Sequence, residues 1–291
     1  MAAIRPATHS NWVRTKWSLD ALEAREAPRI LTSRMNDRSS EVTGEPMQVL
    51  NIPEMVELVD NAVGDNGEVT EQSPPATNQT LTIDQYREST LVFRNDYKFQ
   101  VALKEGKWSK FQGRALKERM ETYALGLHTS VNAAGAVNIA GSIVDATLLA
   151  LKSFSITNRW PKSNLHLLVS AAQMVEILGD DRHSELTFIG DEAGAPVVTG
   201  RIPAVYGFEP ATSDLVLRVS VSGTTRTINM AWVGKDPMGG AFVKGVQQDV
   251  TVDMQKVDLQ HKVIASTLYG VSLVRGGATM PNIRLLRTTD A

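Results

Sequence analysis

A short polar stretch near the middle of the chain carries residue types that bind metal ions. Asp180, Asp181, His183 and Glu185 lie within six positions of one another. Two of the carboxylates together with the imidazole are a ligand set that a divalent cation such as zinc accepts. The group follows Gly179, a predicted helix stop, and continues as a polar loop, so we interpret it as a solvated loop. The sequence predicts no metal ion and no cofactor.

Other signs of catalytic chemistry are weak. His128 and His166 lie in apolar stretches, which is typical of core or interface histidines. The chain has no G-x-G-x-x-G, Walker, G-x-S-x-G or H-E-x-x-H motif. It also has no cysteine, which excludes thiolate metal sites, cysteine nucleophiles and disulfides. We therefore predict that the protein is not an enzyme.

The elements around these residues begin with a long basic helix. Its apolar residues recur every three to five positions, as expected for a helix that packs one face on a sheet. They are Trp108, Phe111, Leu116, Met120, Tyr123, Leu127 and Val131.

Two shorter helices are predicted after it. A capping-box pattern from Ser142 to Asp145 predicts the start of the first. Residues 165–169 read as a buried strand, after which Ser170 caps the second helix and Gly179 ends it.

The C-terminal half has the period-two pattern of β-structure. Alternating apolar residues from Leu215 to Val221 and from Ile228 to Trp232 flank a Ser-Gly-Thr-Thr turn, which predicts a hairpin. Two further strands are predicted at 249–257 and 263–274. Because strands and helices do not alternate regularly, the fold class is α+β.

Two neighbouring segments carry opposite charge. From Met47 to Asp96 there are nine acidic and two basic residues, and from Lys98 to Arg119 seven basic and two acidic. Opposite blocks in one chain favour contact between the acidic segment of one copy and the basic segment of another. The candidate contacts are Glu57, Asp65, Glu68, Glu71, Lys107, Lys110, Arg114 and Lys117. The alternative is that both blocks are solvated faces of a monomer.

The acidic segment reads as a finger that needs a surface. An extended run from Met47 to Val59 is followed by the turn signal Asp65-Asn66-Gly67, and strand-like residues return at 80–83 and 90–94. A lone hairpin is marginally stable in water, so we expect this two-stranded finger to lie on another subunit.

Charge and hydropathy narrow the function classes further. The net charge is −2, which argues against a dedicated nucleic-acid binder because phosphate affinity depends on excess Lys and Arg. The arm up to Arg38 has seven basic and four acidic residues, a weak excess. No apolar run is long enough to span a bilayer and the N-terminus is not a secretory signal, so we expect no membrane partner and a cytosolic site of synthesis.

The order of these blocks resembles a known family. An arm, a finger, a long helix, then "NLHLLVSAAQMVEIL", "VTGRIPAVYGFEPATS" and "HKVIASTLYGVSLVR" look like the major capsid protein of tailed double-stranded DNA bacteriophages, with the Hong Kong 97 type fold. The resemblance extends over nearly the whole chain.

The resemblance implies an organisation and a function. It implies an N-terminal arm at 1–46, an extended loop at 47–96, a peripheral domain with its spine helix at 97–140, an axial domain at 141–250 and return strands of the peripheral domain at 251–291. It also implies hexamers and pentamers in an icosahedral shell around double-stranded DNA, held without sequence-specific binding. A separate scaffolding protein, a portal and a decoration or cement protein are the expected partners. The implied location is the virion capsid, assembled in the host bacterial cytoplasm.

Two alternatives stay open. The same fold serves encapsulins, which are bacterial compartments that enclose cargo enzymes. A soluble α+β enzyme with a site at Asp180, His183 and Glu185 is the other alternative, and its finger would have no partner surface.

Overall fold

Two β-sheets, a two-stranded hairpin and three α-helices make up the described part of the chain. The computed structural model describes residues 29–42, 49–54, 60–61, 77–94, 105–180, 202, 204–236, 240–257, 260–275 and 281–289. Helices and strands occur in a mixed order, and most strand pairs are antiparallel. The predicted α+β class is therefore confirmed.

A four-stranded sheet is built around a long hairpin. Its strands are β1 (Asn36–Asp37), β4 (Gln85–Arg94), β10 (Phe242–Val257) and β11 (Gln260–Leu273), in the order β1-β10-β11-β4. β10 and β11 are antiparallel, and the short strand β1 adds to β10 in parallel. The two predicted C-terminal strands are thus confirmed, and the first of them begins earlier than predicted.

Helix α1 (Glu105–Gly126) packs on this sheet. Leu116, Ala124 and Leu125 are buried on its inner side. The Gln112 amide nitrogen donates to the carbonyls of Ser89 (2.7 Å) and Val263 (3.0 Å), so the helix is also hydrogen-bonded to two strands. The predicted apolar stripe continues to Val131, but the α-helix ends at Gly126 and a 3-10 turn (Leu127–Ser130) follows it.

A six-stranded sheet forms the second layer. Its strands are β5 (Ala136–Ile139), β6 (Leu165–Val169), β7 (Glu209–Thr212), β8 (Arg218–Val221), β9 (Thr224–Val233) and β12 (Ile283–Thr288). The main order is β5-β12-β9-β6-β7, and β8 pairs with β9. The predicted β8–β9 hairpin and the buried strand β6 are confirmed. β12 lies in this sheet, although it falls within the range predicted as return strands of the peripheral domain.

The six-stranded sheet has a hydrophobic cluster on each face. Because side chains alternate along a strand, Leu168 and Trp232 face one cluster, whereas Leu167 and Val233 face the other. The first cluster also contains Leu125 from α1 and residues of the four-stranded sheet. This shared cluster joins the two sheets into one core.

The second face is covered by helices α2 (Asp145–Thr157) and α3 (Ala171–Gly179). The Ser170 hydroxyl accepts the Gln173 backbone N–H (3.3 Å), so the predicted cap of α3 is confirmed. The predicted capping box from Ser142 to Asp145 is wrong, because α2 begins at Asp145 and has no side-chain cap. The Ile143 backbone N–H instead donates to the Gln173 side-chain oxygen (2.6 Å), which attaches the entry of α2 to α3.

The predicted finger is described only at its base. β2 (Val49–Glu54) pairs antiparallel with β3 (Thr77–Thr82), and residues 55–59 and 62–76 lie outside the described residues. Residues 90–94, predicted as part of the finger, belong instead to β4, which pairs with β11 along ten residues. The finger therefore begins at a corner between β3 and β4.

That corner rests on two glycines that face each other across β10 and β11. A Cβ on Gly270 would collide with the carbonyl of Thr82, and one on Gly245 would lie 2.9 Å from Ile83 and 3.1 Å from Leu81. Leu81 and Ile83 are fully buried there. Close backbone approach, possible only without a Cβ, sets the direction in which the finger leaves the body.

We predict that Gly270→Ala destabilises the protein by about 1–3 kcal/mol, because the new methyl group meets a backbone carbonyl that has no free space to move into. The measurement is the free energy of unfolding in urea, with limited proteolysis of the finger as a second readout. Gly126→Ala is the control, since its Cβ would meet nothing within 4 Å. Equal stability of the two variants would contradict the role given to the corner.

Candidate assembly surface

The four basic residues predicted as contacts between subunits lie on one face of α1. At about 100° per residue, Lys107, Lys110, Arg114 and Lys117 fall within about 80° of the helix circumference. Lys110 is exposed, whereas Arg114 and Lys117 are half-buried. The Arg114 guanidinium lies 5.9 Å from the centre of the Phe111 ring. For Lys107 the structure describes the helical backbone and not the side chain. We call these four residues the basic face.

The predicted acidic partners lie outside the described residues. Glu57, Asp65, Glu68 and Glu71 all belong to the segment that connects β2 to β3. Their pairing with the basic face therefore stays a prediction. At the base of the finger, the Glu54 carboxylate lies 3.3 Å from the Arg275 guanidinium, which joins β2 to the end of β11.

A polar cleft opens beside the basic face. It has a volume of about 930 Å³ and lies between α1, residues 29–39 and β10. Lys117 lines it together with Arg29 and Lys244, and Asp37 and Asp249 are its acidic residues. Sequence reasoning did not select Arg29 or Lys244, because they lie far from α1 in the chain and join it only through tertiary packing. The local excess of basic residues in the arm was the one available signal.

Two charged residues of the cleft form an ion pair with each other. The Lys244 ammonium lies 3.2 Å from the Asp37 carboxylate, which also accepts the Ser39 backbone N–H (2.9 Å). Burial alone would raise the pKa of Asp37, but the Ser39 hydrogen bonds and the Lys244 charge together hold it below its ordinary value. This pair fixes residues 37–39 against β10.

A buried carboxylate holds the preceding residues on α1. Glu121 is fully buried and accepts the backbone N–H groups of Ile30 (3.0 Å), Leu31 (2.7 Å) and Thr32 (2.8 Å). It also accepts the Thr32 hydroxyl (2.6 Å). Four donors replace the lost hydration of the anion, as burial of a carboxylate requires. Because Glu121 lies four residues after Lys117, the arm crosses α1 directly beyond the basic face.

A second cluster joins the arm to the six-stranded sheet. The Nδ1 atom of His166 lies 3.0 Å from Arg34 Nη1 and 3.2 Å from a Glu209 carboxylate oxygen. Burial and the Arg34 charge hold the pKa of His166 below its ordinary value, although Glu209 acts to raise it. The neutral ring accepts the Arg34 N–H at Nδ1, which links the arm to β6.

Among the residues that the structure describes, the remaining candidates do not form a catalytic site. His128 is buried, and its Nδ1 lies 3.1 Å from the Leu125 carbonyl; burial holds its pKa below the ordinary value. Asp180 is half-buried, whereas Asp181, His183 and Glu185 lie outside the described residues. Within the described ranges no three His, Cys, Asp or Glu residues form a metal-binding group. None of the helices there is long and apolar enough to cross a membrane.

Comparisons with known proteins give a uniform result for structure. A chain of the capsid of cyanophage P-SCSP1u superposes with a TM-score of 0.73 at 13% sequence identity, covering 97% of this chain and 94% of that one. A chain of the head of Helicobacter pylori bacteriophage KHP40 gives 0.72 at 12%, covering 99% and 98%. The capsid of Ralstonia phage GP4 gives 0.67 at 12%, also covering 99% and 98%.

This chain has a phage capsid fold. The aligned region covers 97–99% of this chain, so the similarity is not confined to one domain. No protein-family model and no curated protein sequence matches the chain. The chain thus shares the topology of these capsid proteins although the sequence identity is only 12–13%.

We predict that Glu121→Gln lowers the free energy of unfolding by about 2–4 kcal/mol, because an amide NH₂ group would face backbone donors in a buried site. Thermal or urea unfolding measures the loss, and trypsin cleavage after Arg29 or Arg34 reports release of the arm. Glu118→Gln, half-buried on the same helix, makes the same charge change and is the control. A loss no larger than that of the control would show that Glu121 does not hold the arm.

A pH prediction follows from His166. Its depressed pKa means that the unfolded chain, with a histidine pKa near 6.5, takes up the proton first as the pH falls. The contribution of neutral His166 to the free energy of unfolding is fully present above pH 6.5, and it is lost as the pH decreases toward the pKa of His166 in the folded chain. We expect His166→Gln to reduce the loss of stability between about pH 7.5 and 5.5, measured by thermal unfolding at each pH. An unchanged slope would mean that His166 does not titrate differently in the folded chain.

Proposed function

We propose that this protein is the structural subunit of an icosahedral phage capsid that encloses double-stranded DNA. The observation that carries the proposal is the structural similarity of the chain, over 97–99% of its length, to the capsid and head chains of three phages. The net charge of −2 supports it, since a container wall of this charge does not bind its DNA tightly. On this proposal the protein acts by assembly and not by catalysis.

The finer organisation belongs to the same proposal. We infer hexamers and pentamers as the building units, with the arm and the finger extending to neighbouring copies and the helix α1 as the spine of a peripheral domain. A separate scaffolding protein, a portal and a decoration or cement protein are the proposed partners. Assembly in the bacterial cytoplasm and incorporation into the virion complete the scheme.

The basic face and the cleft form the proposed surface for the neighbour's finger. The segment between β2 and β3 contains five acidic residues and no lysine or arginine, whereas Lys110, Arg114 and Lys117 are cations on α1. The cleft adds Arg29 and Lys244 to that positive side. Asp37 and Asp249 balance the charges of Arg29 and Lys244, so the net positive charge of this surface comes from the basic face. Each exposed ion pair contributes only about 0–1 kcal/mol, and repetition over many subunits makes the sum important.

The first experiment is light scattering combined with negative-stain electron microscopy of the expressed chain, with and without lysate from cells that make the native particle. Closed shells or capsomer rings are the expected result. Nuclease-protected DNA inside native particles separates a capsid from an encapsulin-type compartment, which would contain cargo protein. A monomer under every condition, including with the lysate, would overturn the proposal.

We predict that reversing the charge at Lys107, Lys110 and Arg114 to glutamate lowers the shell yield about tenfold or more and leaves the subunit folded. Three weakened ion pairs remove about 1–2 kcal/mol per contact, and 1.4 kcal/mol corresponds to a factor of ten. Shell yield is measured by sedimentation, and folding by circular dichroism.

Two further variants test that prediction. Reversal of Glu57, Glu68 and Glu71 to lysine in the same chain should partly restore the yield, because the opposite charges would face each other again. Reversal of the exposed residues Lys162, Arg218 and Lys235 makes the same net charge change elsewhere and should not reduce the yield. Normal assembly of the basic-face variant at both low and high salt would exclude this interface.

A further inference from the structure

The outer side of helices α2 and α3 is almost free of charge. From Val144 to Thr157 and from Ala171 to Gly179, twelve positions are exposed and Glu176 is the only one with a charged side chain. Val144, Leu149, Ile156 and Val175 are large hydrophobic residues that are 56, 47, 67 and 68% exposed. We call these twelve positions the outer helical surface. A surface helix normally presents charged or polar residues to water, so this surface is unusual.

Helix α1 shows that the pattern is local and not general to this chain. Among the side chains described from 110 to 126, the exposed positions are Lys110, Ala115 and Arg119, two of which are cations. The exposed side of a helix in the same protein is therefore mostly charged. The outer helical surface lacks that feature.

The charged residues of α2 are directed away from this surface. The Tyr206 hydroxyl donates to the Asp145 carboxylate (2.5 Å), and the Lys152 ammonium lies 5.9 Å from the centre of the Phe208 ring. Both contacts are made to the turn before β7, and both residues are half-buried. The exposed arginine Arg159 comes directly after α2, at the edge of the surface. An apolar centre with charge at its rim is the composition of a protein interface.

We propose that the outer helical surface is buried against a second copy of this chain, an inference that rests on the proposed shell function. The described residues of the chain leave the four large hydrophobic side chains about half or more exposed. Apolar patches of this kind mark interaction sites. The small residues Ala146, Ala150, Ala171 and Ala172 lie among them and permit close approach of another backbone.

Charge complementarity selects the partner. DNA phosphate requires lysine or arginine, and the only exposed charge on the two helices is the carboxylate of Glu176. The basic face and the acidic finger are poor partners, because contact with an uncharged surface would remove water from their charges without replacing it. An uncharged helical surface on a neighbouring copy has no such cost and is present in equal amount. The outer helical surface thus serves contacts between subunits that the charged surfaces do not.

The test uses the absence of cysteine from the chain. Leu149→Cys, Ile156→Cys and Val175→Cys introduce one thiol each, and the rate of maleimide labelling is compared between isolated subunits and assembled particles. We expect labelling in particles to be at least tenfold slower at these positions. Ser163→Cys, at an exposed position beyond α2, is the control for reagent access. Equal labelling rates in particles and subunits at all three positions would overturn the inference.

A charge variant provides an independent measurement. Because Ile156 is 67% exposed, Ile156→Asp should leave the thermal unfolding of the subunit unchanged and should reduce particle yield at least tenfold. Ser163→Asp is its control. Unchanged yield for Ile156→Asp, with a folded subunit, would contradict the inference. If that variant does not fold, the labelling rates decide.

The outcomes separate this inference from the proposed function. If the unmodified chain forms neither rings nor shells under any condition, the shell function fails and the inference fails with it. If shells form and the three thiols stay reactive, only the inference fails. If protection disappears when a decoration or scaffolding protein is removed from an intact shell, that protein covers the surface and the second-copy partner is wrong.

Discussion

The burial of the Glu121 carboxylate is the constraint on which the rest of the structure depends. An anion in a core is tolerated only when donors replace its water, and here residues 30–32 donate four hydrogen bonds to the Glu121 carboxylate. The arm must therefore lie across α1 at this point. Once it does, Leu31 and Met35 enter the cluster that joins the two sheets. A single polar interaction thus determines where the arm ends and the shared core begins.

The same attachment organises the surfaces that surround it. Beyond the point where the arm crosses α1, strand β1 pairs with β10 and Asp37 forms an ion pair with Lys244. These contacts form one wall of the cleft. Arg34 reaches His166 on the six-stranded sheet, so the arm contacts both layers. The finger is oriented separately, by the close approach of its corner to Gly245 and Gly270. The described part of the arm, the cleft and the base of the finger are consequently attached to one core.

Two kinds of surface result, and they are suited to different contacts. The basic face and the cleft are charged, which favours long-range attraction and dependence on salt. The outer helical surface is nearly uncharged, which favours close packing and burial of apolar area. A subunit of a closed shell needs contacts that guide association and contacts that keep it together. On the proposed function, the charged and the nearly uncharged surfaces are suited to these two kinds of contact.

The sequence by itself determined the elements that depend on local pattern. The β8–β9 hairpin, the buried strand β6, the cap at Ser170 and the helix over the basic segment follow from periodicity, turn residues and capping chemistry, which act over a few residues. The order of those elements along the chain was sufficient to indicate a resemblance to the phage capsid fold. The opposite charge blocks were also visible, because charge is read directly from composition.

Only the tertiary structure decided which distant residues meet. Glu121 looks like any helix glutamate in sequence, and nothing local indicates that residues 30–32 cover it. The pairing of residues 90–94 in β4 with β11, the entry of Lys244 into the cleft and the nearly uncharged exterior of α2 and α3 depend on contacts between residues many tens of positions apart. Such contacts depend on how all the elements pack together in one core. A local sequence pattern spans only a few residues, so it does not specify which distant residues meet.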